Sequence, residues 1–186
     1  MIARVGRRRF LRQSLLLWFL GGYRRVVAQR APLRRFRPLP QSVLVPLADL
    51  ATRGRARQFV ADAVTLPSAA KPNQPIRITG MVVRTRMGDD TADGFRAVCV
   101  RCPHEGCDVD FVSDPGRLPD EVKGEIGHEV TDPVYLCPCH NSTFKSDDGE
   151  RLAGPAPRGL YRFQVTSVSG SAIEIGQVEE DVLIFS

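Results

Sequence analysis

Five cysteines and two histidines are the residues of this 186-residue chain whose spacing points to specific chemistry. The cysteines fall in two short clusters, at residues 99–107 and 137–139, and His104 and His140 lie among them. Thiols interleaved with imidazoles are typical of a metal site, and a disulfide framework is the second interpretation.

Two loop sequences carry these residues. Residues 102–107 read C-P-H-E-G-C, and residues 137–142 read C-P-C-H-N-S. Together they offer a C-x-H pair and a C-x-x-H pair, and each loop keeps one further cysteine, Cys107 and Cys139. Two cysteines and two histidines are also a normal ligand set for structural zinc, so a zinc-stabilised binding module is the non-redox alternative. Zinc would not require the two symmetric further cysteines.

The two loops resemble those of the Rieske iron–sulfur proteins, specifically the Rieske subunits of cytochrome bc-type complexes, whose motifs are C-T-H-x-G-C and C-P-C-H-G-S. The resemblance is strong over residues 95–165. It implies one [2Fe–2S] cluster and an all-β fold, an antiparallel Rieske-type sandwich with both cluster-binding loops at one end. It also implies a disulfide between Cys107 and Cys139. The implied cluster ligands are Cys102, His104, Cys137 and His140.

The implied ligand set has a chemical consequence. Four thiolates would make the oxidised cluster a dianion, whereas two thiolates and two neutral imidazoles leave it neutral, so the reduction potential is higher. Reduction adds negative charge beside the imidazoles and therefore favours their protonation. By resemblance, His140 is the residue that accepts the hydrogen bond and proton of a quinol.

Four neighbouring positions bear on how this cluster is tuned. Ser142 matches the family's serine, which donates a hydrogen bond to a bridging sulfide, whereas Phe144 replaces a tyrosine whose hydroxyl bonds a ligand sulfur. Asn141 replaces a glycine, which asparagine can do in a left-handed conformation. Glu105 stands where quinol-oxidising members of the family usually have a leucine at the docking tip. A charge at this position differs from a standard quinol pocket.

Two longer segments flank the second loop. Residues 154–160 (G-P-A-P-R-G-L) match the family's proline loop, which covers the cluster. The 29 residues between Cys107 and Cys137 make a gap roughly twice the family's usual one. The excess, residues 114–132, is charged and permits a helix, and we expect a surface excursion. The sequence assigns this excursion no role.

Two further residues could be taken for ligands. Cys99 lies three residues before Cys102, at zinc-knuckle spacing, but we interpret it as a buried strand cysteine. His128 stands in a polar stretch without cysteine neighbours, and we interpret it as a solvated loop histidine.

The elements that must position the loops are predicted to be strands. Short β-branched runs are bounded by glycine, proline and aspartate, and no helical stripe is convincing. These runs predict an antiparallel all-β domain. The predicted strand segments are residues 58–60, 76–79, 81–85, 95–100, 134–136, 161–165, 172–175 and 182–185.

The amino-terminal segment is basic and then apolar. The first 37 residues hold 11 of the 26 lysines and arginines and none of the 21 acidic residues. Paired arginines, Phe10-Leu11 and a short apolar run resemble a twin-arginine export signal, so we do not expect a nucleic-acid partner. The uncharged stretch of residues 13–23 is shorter than the roughly 20 residues of a membrane span. We therefore expect an exported protein on the periplasmic side of the inner membrane, and cleavage before Gln29 or retention as an anchor both remain open.

This organisation predicts three parts: a leader at residues 1–28, a proline- and arginine-rich linker at 29–46, and the Rieske domain at 47–186. The leading functional hypothesis is the electron-transfer subunit of a quinol–cytochrome c oxidoreductase, with cytochrome b and a cytochrome c-type acceptor as partners. The alternative is the small Rieske subunit of a periplasmic molybdenum oxidase resembling arsenite oxidase.

Overall fold

The computed structural model describes residues 34–65, 74–88 and 90–180. The predicted leader and the predicted strand at 182–185 lie outside these residues. A compact unit begins at Arg34. No helix in the described part of the chain is long and apolar enough to cross a membrane.

The described residues form ten strands in two antiparallel sheets, as the all-β prediction requires. The larger base sheet has the order β1-β10-β9-β4-β3-β2, and the smaller sheet has the order β5-β6-β7-β8. The base strands are β1 (Phe36–Pro46), β2 (Ala56–Val64), β3 (Ile76–Arg84), β4 (Phe95–Cys99), β9 (Arg162–Ser169) and β10 (Ala172–Glu179). The small sheet consists of β5 (Asp110–Val112), β6 (Val134–Leu136), β7 (Thr143–Lys145) and β8 (Arg151–Ala153).

The predicted linker needs a correction at its carboxyl-terminal end. Residues 36–46 are not a connector, because they form β1 and pair with β10 along the edge of the base sheet. Proline is tolerated in an edge strand, where its missing N–H costs no ladder hydrogen bond. The pairing shifts register between Pro38 and Val43, so Pro40 lies at an irregularity of the strand. The domain therefore begins about a dozen residues before the predicted Leu47.

The excursion after the first loop contains the helix that its sequence permits. α1 (Asp120–Ile126) buries Val122 and Ile126, and Gly127 ends it with a left-handed φ of 72°. These two side chains pack with Ala153 of β8 in a small apolar core. The excursion is thereby attached to the last strand of the small sheet.

The sheets position both cysteine loops. The first loop joins β4 to β5, and the second is the connection of the hairpin β6–β7. A core between the sheets contains Val98 of β4, Tyr135 of β6 and Phe144 of β7, together with Cys102 and Cys137. Each loop therefore starts from a residue that is packed in this core.

Candidate metal centre

The first loop is closed by two backbone hydrogen bonds. The Cys102 N–H donates to the Cys107 carbonyl over 2.8 Å, and the Gly106 N–H donates to the Cys102 carbonyl over 2.9 Å. Gly106 has a φ of 76°, in the left-handed region that glycine enters without steric cost. The tight turn presents His104 and Glu105 at its tip.

The second loop repeats this backbone pattern at the same offsets. The Cys137 N–H donates to the Ser142 carbonyl over 2.8 Å, and the Asn141 N–H donates to the Cys137 carbonyl over 3.0 Å. Asn141 has a φ of 59°, so it occupies the left-handed position that Gly106 occupies in the first loop. The left-handed conformation expected for Asn141 is confirmed.

The two loops bring a pair of free thiols together. Cys102 and Cys137 are 1% and 2% exposed, and neither forms a disulfide. Burial, reinforced by the neighbouring Cys137, raises the pKa of Cys102, while hydrogen bonds from the His104 backbone and the Ser142 side chain oppose the rise. Metal ions bind the deprotonated form, so a bound cation would supply the charge that this buried pair lacks.

Two imidazoles stand beside each other at the loop tips. The ring centroids of His104 and His140 are 4.9 Å apart. His104 Nδ1 is buried and has no hydrogen-bond partner among the described residues. A buried polar atom without a partner requires an explanation, and a bound metal is one. The side chain of His140 remains 46% exposed.

The two remaining loop cysteines form the bond that the resemblance implies. Cys107 and Cys139 are joined as a disulfide with a Cα–Cα distance of 6.6 Å. It links the first loop to the second and withdraws these two sulfurs from metal binding. Of the five cysteines, Cys99, Cys102 and Cys137 are left as free thiols.

The Glu105 carboxylate lies near both imidazoles. Glu105 places one oxygen 3.9 Å from His104 Nε2 and the other 3.9 Å from His140 Nδ1. Its side chain is 59% exposed. The glutamate that stands at position 105 in place of the family's leucine therefore puts a charged group at the loop tip, close to a nitrogen of each ring.

The proline loop covers the thiols, as its resemblance implies. Ala156 and Leu160 are buried in the core that contains Cys102 and Cys137. The Ala156 N–H donates to Ser142 Oγ over 3.1 Å, which ties this loop to the second cysteine loop.

Phe144 and Tyr135 are buried neighbours on adjacent strands, in the core that contains Cys102 and Cys137. Phe144 lies opposite Tyr135 on β7 and β6, and both side chains are fully buried. The Tyr135 hydroxyl has no hydrogen-bond partner in the described part of the chain, and burial raises its pKa. No sequence motif marks this hydroxyl.

Two acidic residues outside the predicted motifs make a hydrogen bond and an ion pair with the proline loop. Glu125 of α1 accepts a hydrogen bond from the Gly154 N–H over 2.7 Å. Glu179 of β10, which is buried, pairs with Arg158 of the proline loop. These contacts join residues that are 29 and 21 positions apart, and no motif marks them.

The two residues set aside as non-ligands lie away from the four candidate ligands. Cys99 is fully buried in the base-sheet core. His128 is exposed in the excursion, where its Nδ1 lies 3.0 Å from the Ile126 carbonyl oxygen. Both interpretations are confirmed.

The comparison with protein families decides what this arrangement is. The family model for the Rieske [2Fe-2S] domain matches residues 58–166. The chain belongs to the Rieske [2Fe–2S] domain family. A comparison with curated proteins finds no match to this chain.

The residues present suit the group that this family binds. A Rieske domain holds one [2Fe–2S] cluster and transfers electrons through it. Two buried free thiols and the buried His104 nitrogen without a partner are three of the four donors, two thiolates and two imidazole nitrogens, that such a cluster requires. The protein is therefore an electron-transfer protein with one Rieske cluster.

Proposed function

We propose that Cys102, His104, Cys137 and His140 hold the cluster, and that the chain is the iron–sulfur subunit of a quinol–cytochrome c oxidoreductase of bc type. The exposure of the His140 ring at the loop tips is the observation that carries this proposal. A partly exposed imidazole is within reach of a hydroxyl donor from outside the domain, and a quinol must give up a proton with each electron.

The chain's own residues divide the work around this centre. The bound cluster supplies a one-electron acceptor at the loop tips. His140 accepts the hydrogen bond of the quinol hydroxyl and takes its proton. Ala156 and Leu160 exclude water from the thiol side, and the Cys107–Cys139 disulfide holds the loops at a fixed separation.

The proposal includes partners and a location. Cytochrome b and a cytochrome c-type acceptor would complete the complex, on the periplasmic side of the inner membrane. The basic and apolar leader supports export, and a disulfide is expected to persist in an oxidising compartment.

One observation favours the second candidate, the small subunit of a periplasmic molybdenum oxidase resembling arsenite oxidase. Glu105 puts a carboxylate 3.9 Å from both imidazoles, where an apolar quinone ring would have to approach. Burying that charge against a quinone is unfavourable. A domain that receives electrons from another protein-bound centre would not have to bury Glu105 under a quinone ring.

Purification of the tagged chain from its native membranes distinguishes the quinol–cytochrome c oxidoreductase from the molybdenum oxidase. We expect it to carry b-type haem and to support quinol-dependent reduction of cytochrome c. The matched variant Glu105→Leu should keep or increase this activity, because it removes the charge from the tip. Molybdenum in stoichiometric amount without haem would overturn the quinol proposal and support the second candidate.

A further inference from the structure

The excursion at residues 114–132 reaches the proline loop through the side chain of Glu125. α1 lines a cleft beside His140 and Asn141, together with the start of the proline loop. Two carboxylates of α1, Glu121 and Glu125, border this cleft. Glu125 accepts a hydrogen bond from the Gly154 N–H at the start of the proline loop.

Gly154 is placed so that it transmits this contact to the second cysteine loop. It has a φ of 86°, and a Cβ built on it would lie 2.4 Å from Ser142 Cα. The proline loop therefore begins in direct backbone contact with Ser142. Two residues later, the Ala156 N–H donates to Ser142 Oγ.

Ser142 completes the connection to a candidate ligand. Its side chain is fully buried, and its backbone carbonyl accepts a hydrogen bond from the Cys137 N–H over 2.8 Å. Since the Ala156 N–H occupies one acceptor position of Ser142 Oγ, the hydroxyl hydrogen points away from that N–H and is available to a sulfur acceptor.

We propose that Glu125 is a positioning residue for the cluster: through Gly154 and the proline loop it orients the Ser142 hydroxyl toward the cluster's sulfur. This proposal rests on the ligand assignment made above and gives the excursion a role. Val122 and Ile126 fix α1 against β8, and Glu125 is the polar end of that interface.

The sign of the redox effect separates positioning from simple electrostatics. A hydrogen bond to sulfur stabilises the reduced, more negative cluster, so a misdirected Ser142 hydroxyl lowers the reduction potential. Removing the negative charge of Glu125 would by itself raise the potential. The two mechanisms therefore predict opposite shifts for Glu125→Ala.

The experiment is a redox titration of the purified full-length holoprotein, followed by the EPR spectrum of the reduced cluster. We expect Glu125→Ala to lower the equilibrium constant for reduction about two- to fivefold, which is about 20 to 40 mV at 59 mV per tenfold change. Glu125→Gln keeps an acceptor oxygen for the Gly154 N–H but loses the negative charge, so it should leave the potential at or above the wild-type value and never below it. Glu121→Ala, from the same cleft, is the matched control and should not lower it.

A double-mutant cycle tests the route through the serine. In a Ser142→Ala background, Glu125→Ala should lower the potential no further. If Glu125→Ala loses iron, Glu125→Asp, which draws the acceptor back by one methylene, should show a smaller drop of the same sign. An unchanged or raised potential in Glu125→Ala or Glu125→Asp, with iron content intact, overturns the proposal. A wild-type protein without a Rieske EPR signal would instead overturn the ligand assignment.

Discussion

The two cysteine loops share a backbone but differ in what supports them. Both are closed by the same pair of hydrogen bonds, and both place a left-handed residue at the fifth position. The first loop is braced by Arg101, which donates to the Gly106 carbonyl and pairs with Asp108. The second loop is packed against the proline loop and, through it, against α1.

The two loops are therefore expected to share the supply of cluster ligands and to differ in how they influence the reduction potential. Ligand supply is symmetric, since each loop contributes one thiol and one imidazole to the proposed set. The residues that we expect to tune the cluster, Ser142 and Phe144, both belong to the second loop side, since both follow His140 in sequence. We therefore expect equal losses from ligand substitutions and unequal effects from substitutions around them.

The largest effects are expected from substitutions of the candidate ligands, which test whether both loops contribute to the cluster. Cys102→Ser, Cys137→Ser and His140→Ala should each abolish the cluster, because no neighbouring free thiol or imidazole can replace the lost donor. Iron analysis and low-temperature EPR of the reduced protein measure this. A variant that kept the full Rieske signal would show that its residue is not a ligand.

The disulfide is shared by the two loops, so removing either half should cost the same. Cys107→Ala and Cys139→Ala should each lower the free energy of unfolding by about 2–4 kcal/mol, the usual effect of losing a native disulfide. The cluster should be lost at a lower temperature, which visible absorbance follows. Free thiols at both positions in unreduced wild-type peptides would contradict the bond.

The matched left-handed positions allow a direct exchange between the loops. Asn141→Gly should be close to neutral, whereas Asn141→Ala should destabilise by about 1–2 kcal/mol because alanine is strained at a φ of 59°. Gly106→Asn should be tolerated better than Gly106→Ala for the same reason. Chemical denaturation measures all four variants, and equal stability of Asn141→Ala and Asn141→Gly would argue against the left-handed conformation.

Phe144→Tyr should sharpen the difference in tuning. The added hydroxyl would lie beside the thiols, and a hydrogen bond to a charged acceptor is worth about 1.5–3 kcal/mol. Only the difference between oxidation states changes the potential, so we expect a rise equivalent to a fraction of that energy. Redox titration measures it. If the potential does not rise, the ring at residue 144 does not face a ligand sulfur.

The smallest effect concerns Cys99, the free thiol outside both loops. Burial raises its pKa to about 12, so the unreactive thiol form persists in the folded protein. Iodoacetamide at about pH 8 should leave it unmodified until the chain is denatured. Mass spectrometry of digested protein shows this, and rapid labelling of the native protein would contradict its burial.

The raised pKa of Cys99 also affects the stability of the protein at high pH. The unfolded thiol loses its proton near pH 9, whereas the folded one keeps it until about pH 12. The contribution of Cys99 to stability is therefore complete below pH 9 and decreases as the pH rises toward 12. Cys99→Ala should show a weaker alkaline loss of stability than the wild type.

The strands that could be predicted are those whose apolar residues repeat locally. Residues 76–79 and 81–85 were predicted as separate strands, and the structure joins them into β3, since Gly80 continues the ladder opposite Phe59 and Cys99. β5, β7 and β8 were not predicted because each is three residues long and lacks a local pattern. They exist because they pair with one another and with β6.

The chemistry that we infer for this protein follows from local sequence. The types and spacing of the candidate ligands, the two further cysteines and the glycine-like position of Asn141 are local properties, since each loop is closed by hydrogen bonds within six residues. The surroundings of these loops depend on the tertiary structure instead. The edge pairing of β1, the contacts of Glu125 and Glu179 with the proline loop, and the approach of Glu105 to His140 join residues far apart in the chain. Such contacts depend on how the sheets pack.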